Sequence, residues 1–337
     1  MTATENTQAK LPPITILIEW ENAQDVEDVW VRKALTALQD ELERQHNLMS
    51  ERPRVMYLYN ENVVGEDHIR KEIAIAAPRL EQVCQLEFMP TPGLTYYKLK
   101  NYGVAQTRTE LVAMVDSDAA PQPGWLPALL KPFADPKVMA VGGFTVLGYN
   151  NLVSKVMALT WIFNLRSERK QTLGRHKIHA NNCAFRTDFF RANPWPDLPA
   201  FKKQCGFWIR DIEKRGIKWV RTADAMTVHA PQPGIPFLIW RAWTAGLDRD
   251  YQGAQTISQN KLRRLAFAFQ FWAKKSWRST KRIIGKGKQV DLPVWQMPAA
   301  LFLAWSYYNI LLVAQLWAAL TRRYQPLPPL LQVLQHQ

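Results

Sequence analysis

The sequence has few cysteines and no apolar run near its start. Three cysteines, Cys84, Cys183 and Cys205, are scattered over 337 residues. Their odd number and wide spacing fit neither a disulfide framework nor a cysteine metal site, so a reducing compartment such as the cytosol fits best. Residues 1–10 are polar and lack the apolar core of a secretory signal peptide. We expect residues 1–12 to form a disordered leader.

Acidic side chains are also scarce. Twenty-nine Asp and Glu residues stand against 43 Lys and Arg residues, which gives a formal net charge of +14. This imbalance favours an anionic partner: nucleic acid, a phosphate-bearing substrate or an acidic membrane surface. A hydrophobic content of 47% indicates a folded chain rather than a disordered one.

Strand and helix patterns alternate over the first two thirds of the chain. Short apolar runs predict strands at residues 14–18, 55–59, 83–88, 111–115, 138–146 and 217–220. Helical patterns fall between them, at residues 23–46, 68–77, 101–109, 152–165 and 207–215. Such alternation predicts an α/β fold with a mostly parallel sheet covered on both faces, and ligands bind such sheets at the carboxyl ends of the strands.

The most informative stretch is Asp116-Ser117-Asp118, which follows the predicted strand 111–115. Two carboxylates one residue apart at the end of a buried strand can share Mg²⁺ or Mn²⁺, which needs an anionic partner such as a diphosphate to complete its shell. The Pro-rich turn 119–125 ends the strand and holds the pair at the sheet edge. An Asp-x-Asp pair occurs often by chance, so the neighbouring motifs decide its meaning.

Taken together, several motifs resemble the inverting glycosyltransferases of family 2, which have the nucleotide-diphospho-sugar transferase (GT-A) fold. The resemblance covers roughly residues 14–250. It is carried by the strand 14–18 with Glu19-Trp20-Glu21-Asn22, by Asn101-Tyr102-Gly103, by Asp116-Ser117-Asp118 with Pro121, Pro123, Trp125 and Leu126, by Asn182-Cys183-Ala184-Phe185-Arg186, and by the stretch from Gly216 to His229.

The resemblance implies roles for particular residues. A nucleotide-sugar donor would be held by Glu19, Asn22, Asn60, Lys100, Asn101, Asp116 and Ser117. The metal, Mn²⁺ or Mg²⁺, would be bound by Asp116, Asp118 and His229. The divalent ion and cationic side chains would stabilise the charge of the departing nucleoside diphosphate.

The sequence departs from the family pattern where the general base is expected. Counting back from Gly216, the positions of the family's Glu-Asp pair hold Gln204 and Cys205. A Gln side chain cannot accept the proton, and Cys205 could do so only as a thiolate. Other carboxylates that could substitute are Asp197, Asp211 and Glu213. The acid that the family usually carries after the second strand is replaced by Asn60.

The last part of the chain has a different composition. Residues 261–288 contain ten Lys or Arg residues, no Asp or Glu, and interleaved aromatic residues. Residues 292–321 carry no charge and are long enough to span a bilayer. A single span, a re-entrant hairpin and a helix lying in the membrane interface all stay open, as does a buried helix of a soluble domain.

These features predict a leader at residues 1–12, a GT-A domain at 13–250, a basic-aromatic juxtamembrane segment at 251–291, an apolar membrane-associated helix at 292–321 and a tail at 322–337. The leading hypothesis is a metal-dependent, inverting hexosyltransferase of polysaccharide biosynthesis. It would act on a lipid-linked or surface-glycan acceptor at the cytoplasmic face of a membrane with anionic lipids, bound peripherally or through its C-terminal part.

Two other classes of function stay open. The missing Glu-Asp pair favours a catalytically degenerate scaffold that binds the donor within a membrane glycan-assembly complex. The excess of basic residues allows a nucleic-acid-binding protein, but nucleic acid is disfavoured because the charge is concentrated beside an uncharged apolar segment.

Overall fold

The computed structural model describes residues 10–169, 177–199 and 204–324. Most of the predicted leader and of the predicted tail lies outside these residues. Eight strands are described: β1 (Ile14–Glu19), β2 (Arg54–Asn60), β3 (Gln85–Thr91), β4 (Leu111–Asp116), β5 (Ala119–Pro121), β6 (Ala140–Leu147), β7 (Asn182–Arg186) and β8 (Trp219–His229).

Eleven α-helices are described within the same residues. They are α1 (Asp28–Gln45), α2 (Glu66–Ala76), α3 (Leu80–Val83), α4 (Tyr96–Gln106), α5 (Trp125–Leu130), α6 (Leu152–Thr160), α7 (Thr187–Ala192), α8 (Gln204–Lys214), α9 (Gly234–Thr256), α10 (Lys261–Lys286) and α11 (Met297–Thr321).

The strands form one sheet in the order β3-β2-β1-β4-β7-β6-β8-β5. The strands β3, β2, β1 and β4 are parallel, and the apolar runs of β1, β2 and β4 are buried. Antiparallel pairs extend the sheet through β7, which pairs with both β4 and β6, and through β5, which pairs with β8. The predicted α/β fold with a mostly parallel sheet and a C-terminal apolar helix is confirmed.

Three predicted elements differ from the structure. The helix predicted at residues 101–109 is α4, which begins at Tyr96 after the turn at Gly93, where φ is +61°. The strand predicted at 217–220 is β8, which runs on to His229 because it pairs with β5. Residues 119–121, predicted as part of a turn, are that short partner strand.

The chain divides into two compact units. The first takes its described residues from 1–145, 170–195 and 208–229, and the second from 146–169, 196–207 and 230–337. In the first unit, side chains of β1, β2 and β4 pack with α1, α2 and α5 in one hydrophobic core. This packing fixes the parallel strands whose carboxyl ends carry the predicted site.

The second unit is built from α6, α9, α10 and α11. The helices α9 and α11 approach closely at Gly246, where a Cβ atom would collide with the backbone oxygen of Leu311. Two charge networks join the elements. Arg264 pairs with Asp250 in a buried contact, and Asp250 also accepts from Tyr324. The partly buried Glu168 accepts from Arg282 and Lys286. The stretch Val294–Thr321 is long and apolar enough to cross a membrane.

Candidate metal and donor site

The predicted acidic motif lies at the carboxyl ends of the parallel strands, where ligands bind in such sheets. The strands β1 and β4 are neighbours, and their register places Glu19 beside Asp116 at the last pair of the ladder. Both side chains are buried, and Glu19 is fully enclosed. Two residues predicted to contact the donor therefore lie together.

Three side chains donate hydrogen bonds to the Asp116 carboxylate. Lys100 Nζ lies 2.6 Å from Oδ1, Asn22 Nδ2 lies 2.9 Å from Oδ2, and the Tyr96 hydroxyl lies 2.9 and 3.1 Å from the two oxygens. Lys100 also donates to the carbonyl oxygen of Ala180 at 3.0 Å. Asp116 at the end of β4 is therefore fixed in one orientation by α4 and by the segment that follows β1.

Asp118 and His229 meet because of the antiparallel pairing of β5 with β8. The register places Ala119 opposite His229, so the imidazole lies next to the preceding residue, Asp118. His229 Nδ1 is 3.2 Å from Asp118 Oδ2. Asp116, Asp118 and His229 each offer one ligand atom, and these three atoms lie within 4.8 Å of one another. The structure thus brings together the three residues predicted to bind the metal.

Burial and mutual repulsion act differently on the three acidic groups. Burial raises the pKa of Asp118 to about 7, and the charge of Asp116 adds to this rise while His229 opposes it. Burial also tends to raise the pKa of Asp116, but the charges of Lys100 and His229 outweigh burial and lower that pKa. Burial, and then the charge of Asp116, raise the pKa of Glu19 well above its ordinary value. Asp116 is thus the carboxylate that the protein itself stabilises as an anion.

The residues of this cluster fit a divalent cation. Within the described residues, the buried atoms Asp118 Oδ1 and Ser117 Oγ have no hydrogen-bond partner. A buried polar atom without a partner costs free energy, which a bound cation would recover at Asp118. Carboxylate oxygens suit Mg²⁺ or Mn²⁺.

A buried glutamate that the sequence reasoning missed supports the turn after the motif. Glu41 on α1 accepts from the backbone nitrogen of Gly124 at 2.9 Å and from that of Leu126 at 3.0 Å. Trp125 Nε1 donates to Asn182 Oδ1 at 2.9 Å, and Asn182 Nδ2 donates to the carbonyl oxygen of Ala225 at 2.9 Å. These contacts tie the turn to α1, β7 and β8.

The motif Asn101-x-Gly103 positions α4 beside the site. A Cβ atom at Gly103 would lie 2.6 Å from Leu58 Cδ1, so a larger residue there would require the buried Leu58 side chain to shift. The amide of Asn101 donates to and accepts from the backbone of Trp195, at 2.9 and 3.0 Å. The contact predicted between Asn101 and the donor stays a prediction.

Tyr96 is a second site residue that the sequence reasoning missed. It is the first residue of α4 and lies one helical turn before Lys100, so both side chains reach Asp116. The predicted helix began at Asn101 and left Tyr96 outside. The spacing of four residues between Tyr96 and Lys100 is the signal that would have found it.

The remaining candidates occupy separate positions. Asn60 ends β2, and its Oδ1 accepts from the backbone nitrogen of Asn62 at 3.1 Å. Gln204 and Cys205 begin α8; Gln204 is buried and Cys205 is partly buried. Asp211 pairs with Arg215, and Glu213 accepts from Trp219 Nε1 at 3.1 Å. Asp197 is exposed. The predicted roles of these residues in catalysis or donor binding stay predictions.

Basic groups add positive potential to the same unit. Burial, and then the charges of Lys177, Arg221 and His229, lower the pKa of His179 well below its ordinary value. His179 is therefore neutral at physiological pH, while Lys177 and Arg221 supply positive charge around it. Such a field favours an anionic ligand.

Comparisons with known proteins bear on the family and the fold. Residues 85–193 match the family model described as glycosyl transferase family 2. No curated protein matches the sequence. A solved structure of the mannosyltransferase PcManGT from Pyrobaculum calidifontis, in complex with GDP-Man and Mn²⁺, is 17% identical, with a TM-score of 0.54 over 94% of this chain and 89% of that one.

Two further solved structures are more distant. GalNAc-T7 with UDP, GalNAc and Mn²⁺ is 10% identical, with a TM-score of 0.49 over 73% of this chain and 51% of that one. Glucosyl-3-phosphoglycerate synthase from Mycobacterium tuberculosis, with Mn²⁺, UDP and glucosyl-3-phosphoglycerate, is 14% identical, with a TM-score of 0.42 over 72% and 79% of the two chains.

The family match includes α4, β4 and the acidic motif, and the likeness to PcManGT extends over nearly the whole chain. The predicted fold and the predicted enzyme class are therefore confirmed. Residues 85–193 carry the match to glycosyl transferase family 2, and the chain has the GT-A fold.

Proposed function

We propose that the protein transfers a sugar, with inversion, from a nucleotide-diphosphate donor to a lipid-linked or surface-glycan acceptor, and that Mn²⁺ or Mg²⁺ is required. The observation that carries this proposal is the buried cluster of Asp116, Asp118 and His229 at the carboxyl end of β4. Its oxygen and nitrogen ligands suit a divalent ion whose remaining positions a diphosphate can fill.

The two aspartates would have different roles. Asp116 already accepts hydrogen bonds from Asn22, Tyr96 and Lys100, so it would orient the donor and hold Lys100 near the diphosphate. Asp118 keeps one buried oxygen without a hydrogen-bond partner, so with His229 it would hold the metal. When bound, the ion would neutralise charge on the diphosphate as it leaves.

The transfer step forms one bond to the anomeric carbon and breaks another. An acceptor oxygen forms a bond to the anomeric carbon while the bond from that carbon to the diphosphate oxygen breaks. The nucleoside diphosphate departs with the electron pair, and the acceptor proton passes to a base. Inversion follows from a single displacement on the face opposite the leaving group.

The residue at the base position favours a second candidate function. Gln204 has no basic atom, and Cys205 would need to be a thiolate to accept a proton. A chain that binds the donor and lacks a base would serve as a scaffold in a membrane glycan-assembly complex. Measurement of sugar transfer distinguishes such a scaffold from an active enzyme.

The first test is calorimetric binding of UDP-, GDP- and dTDP-sugars to the full chain in detergent, with and without Mn²⁺. We expect Mn²⁺-dependent binding of one donor by the wild type and loss of binding in Asp118→Asn. The matched control is Asp188→Asn, since Asp188 has a carboxylate that is 95% exposed and lies outside the cluster.

The outcomes distinguish an active enzyme from a donor-binding scaffold. Donor binding that needs Asp118, followed by release of nucleoside diphosphate with an acceptor, supports the enzyme. The same binding without release under any acceptor supports the scaffold. Absence of binding by the wild type, or equal binding by Asp118→Asn, would overturn the proposed site.

A further inference from the structure

The outward side of α11 is apolar, whereas the outward side of an ordinary surface helix is polar. Exposed side chains recur every three or four residues along it, and they are Phe302, Trp305, Asn309, Val313, Trp317 and Leu320. Phe302 is 73% exposed and Val313 is 56% exposed. An apolar stripe this long on the outside of a helix indicates an interaction surface.

The neighbouring helix α10 exposes two stripes side by side. One is apolar and contains Phe269, Ala273, Trp277 and Ile284. The other is basic and contains Lys274, Arg278 and Lys281. The ammonium group of Lys281 lies 4.8 Å from the centre of the Trp277 ring, so the two stripes touch.

The apolar stripes of the two helices adjoin. Trp305 Nε1 on α11 donates to Thr280 Oγ1 on α10 at 3.0 Å, and Trp272 Nε1 on α10 donates to Asn309 Oδ1 on α11 at 2.8 Å. The second bond occupies the one amide in the α11 stripe. We call the combined stripes of α10 and α11 the apolar face, and Lys274, Arg278 and Lys281 the basic stripe.

The inward side of α11 is occupied along most of its length. Buried residues run from Ala300 to Ala319, and they pack against α6, α9 and α10. Tyr308 donates to the carbonyl oxygen of Thr160 at 3.0 Å, and Ser279 lies 3.1 Å from the Tyr308 hydroxyl. α11 is therefore one wall of a helical unit, not a free-standing helix.

This packing decides how α11 can meet a bilayer. Its 25 residues extend about 37 Å, which is enough to cross a hydrocarbon core of about 30 Å. A crossing α11 would either lose its buried contacts or draw the charged helix α10 into the hydrocarbon, where each Lys or Arg costs about 2.5–3.5 kcal/mol. A helix lying in the interface avoids both costs.

Charge identifies the partner of this surface. Residues 261–288 contain ten basic residues and no acidic one. Arg264, Arg282 and Lys286 pair with acidic side chains of other segments, whereas the three residues of the basic stripe are exposed. Burial, and then the charges of Arg278 and Arg249, lower the pKa of Lys275 to about 8. An anionic surface would relieve this crowding of positive charge, and an apolar layer beneath it would cover the exposed Trp and Phe side chains.

We propose that α10 and α11 together bind an anionic lipid bilayer flat on its surface, with the apolar face in the boundary between headgroups and acyl chains and the basic stripe against lipid phosphates. α11 does not cross the membrane. The proposal stands apart from glycosyl transfer, because it uses none of the residues of the metal and donor site.

The test is sedimentation of the full chain with vesicles of phosphatidylcholine alone or with about 30% phosphatidylglycerol. We expect strong binding only to the anionic vesicles, weakened by salt. The variant Lys274→Gln/Arg278→Gln/Lys281→Gln should reduce binding about 100-fold, since each basic residue near the surface contributes roughly fivefold. The variant Phe269→Ser/Trp277→Ser/Phe302→Ser should reduce it by at least about tenfold.

Matched controls carry equivalent changes on exposed residues of the other unit. The charge control is Lys71→Gln/Arg108→Gln/Lys137→Gln, and the apolar control is Val63→Ser/Ile75→Ser. Both should bind like the wild type, and so should Asp118→Asn. Equal loss in the controls, or wild-type binding by both test variants when circular dichroism shows them folded, would overturn the proposal.

A second measurement distinguishes a flat helix from a spanning one. Val294→Cys and Thr321→Cys mark the two ends of the apolar stretch, in a Cys205→Ser background because Cys84 and Cys183 are buried. A membrane-impermeant maleimide added outside preformed vesicles should label both ends, and alkaline carbonate should release the protein. Protection of one end, or resistance to carbonate, would show that α11 spans.

Discussion

Lys100 and Asp116 form an ion pair in which both side chains are buried and Lys100 Nζ lies 2.6 Å from Asp116 Oδ1. Burial alone would lower the pKa of Lys100, but the charges of Asp116 and Glu19 outweigh burial and raise it. Each charge is therefore stabilised by the other, and the free energy of unfolding of suitable variants can test this dependence.

Replacing Lys100 with Met should destabilise the folded chain. Removal of Lys100 leaves the buried Asp116 charge without its ion-pair partner, which costs about 3–5 kcal/mol of unfolding free energy. Urea denaturation of Lys100→Met measures this loss, and the double variant Lys100→Met/Asp116→Leu should recover most of it. The surface pair of Arg70 with Glu66 is the control, since Arg70→Met should cost no more than about 1 kcal/mol. Equal losses in the two single variants would contradict this reasoning.

Tyr96→Phe should weaken the orientation of Asp116 without altering the shape of α4. The substitution removes a hydroxyl that donates to both carboxylate oxygens, and a hydrogen bond to a charged group contributes about 1.5–3 kcal/mol. Unfolding free energy and Mn²⁺-dependent donor affinity should both fall. Tyr102→Phe removes a hydroxyl from the same helix and should leave both quantities unchanged. Identical behaviour of the two variants would rule out a positioning role for Tyr96.

Two helical glycines should respond to alanine in opposite directions. A Cβ atom at Gly103 would lie 2.6 Å from Leu58 Cδ1, whereas one at Gly285 in α10 would meet nothing within 4 Å. Overpacking should make Gly103→Ala less stable by about 1–3 kcal/mol. Gly285→Ala should stabilise the chain by about 0.5–1 kcal/mol, because alanine favours the helix more than glycine does. Thermal denaturation of both variants checks the prediction, and stabilisation of both would refute it.

Glu168 should make the stability of the second unit depend on pH. Burial tends to raise the pKa of Glu168, but hydrogen bonds from Lys286 and from the Leu165 backbone, with the charge of Arg282, outweigh it and lower that pKa. A lowered pKa in the folded state means that the stabilisation is complete above the unfolded value of about 4.3 and is lost as pH falls through the folded value.

The comparison is between wild type and Glu168→Gln, by urea denaturation from about pH 7 to pH 3. We expect the wild type to be the more stable at pH 7 and the difference to shrink below about pH 5. Glu61→Gln alters an exposed carboxylate and should leave the pH profile unchanged. A difference that stays constant with pH would mean that Glu168 is not stabilised by these cations.

The sequence predicted the parts of the fold that depend on local pattern. The sequence predicted the apolar runs of β1, β2 and β4, and the acidic motif at the end of β4, because hydrophobic periodicity is a local property. The group of Asp116, Asp118 and His229 was predicted only through resemblance to a family, since His229 is more than 100 residues from the motif. The β5–β8 register that joins them cannot be read from periodicity.

Residues that act across long separations were missed for the same reason. Glu41 supports a turn 83 residues further along the chain, and nothing around it in the sequence marks a capping role. Tyr96 was missed because the predicted helix began at Asn101, whereas α4 begins at Tyr96. In the C-terminal part, composition showed an apolar helix but not that one side of it is packed against α9 and α10.

The buried carboxylate of Glu41 has a consequence for any attempt to isolate the catalytic region. The segment that matches the family, residues 85–193, contains both aspartates, Tyr96 and Lys100. It contains neither Glu41, which holds the turn after the motif, nor Asn22 and His229, which contact the two aspartates. The smallest fragment able to assemble the site must therefore begin before β1 and extend through the last residue of β8, so boundaries for truncation should follow these contacts and not the extent of family similarity.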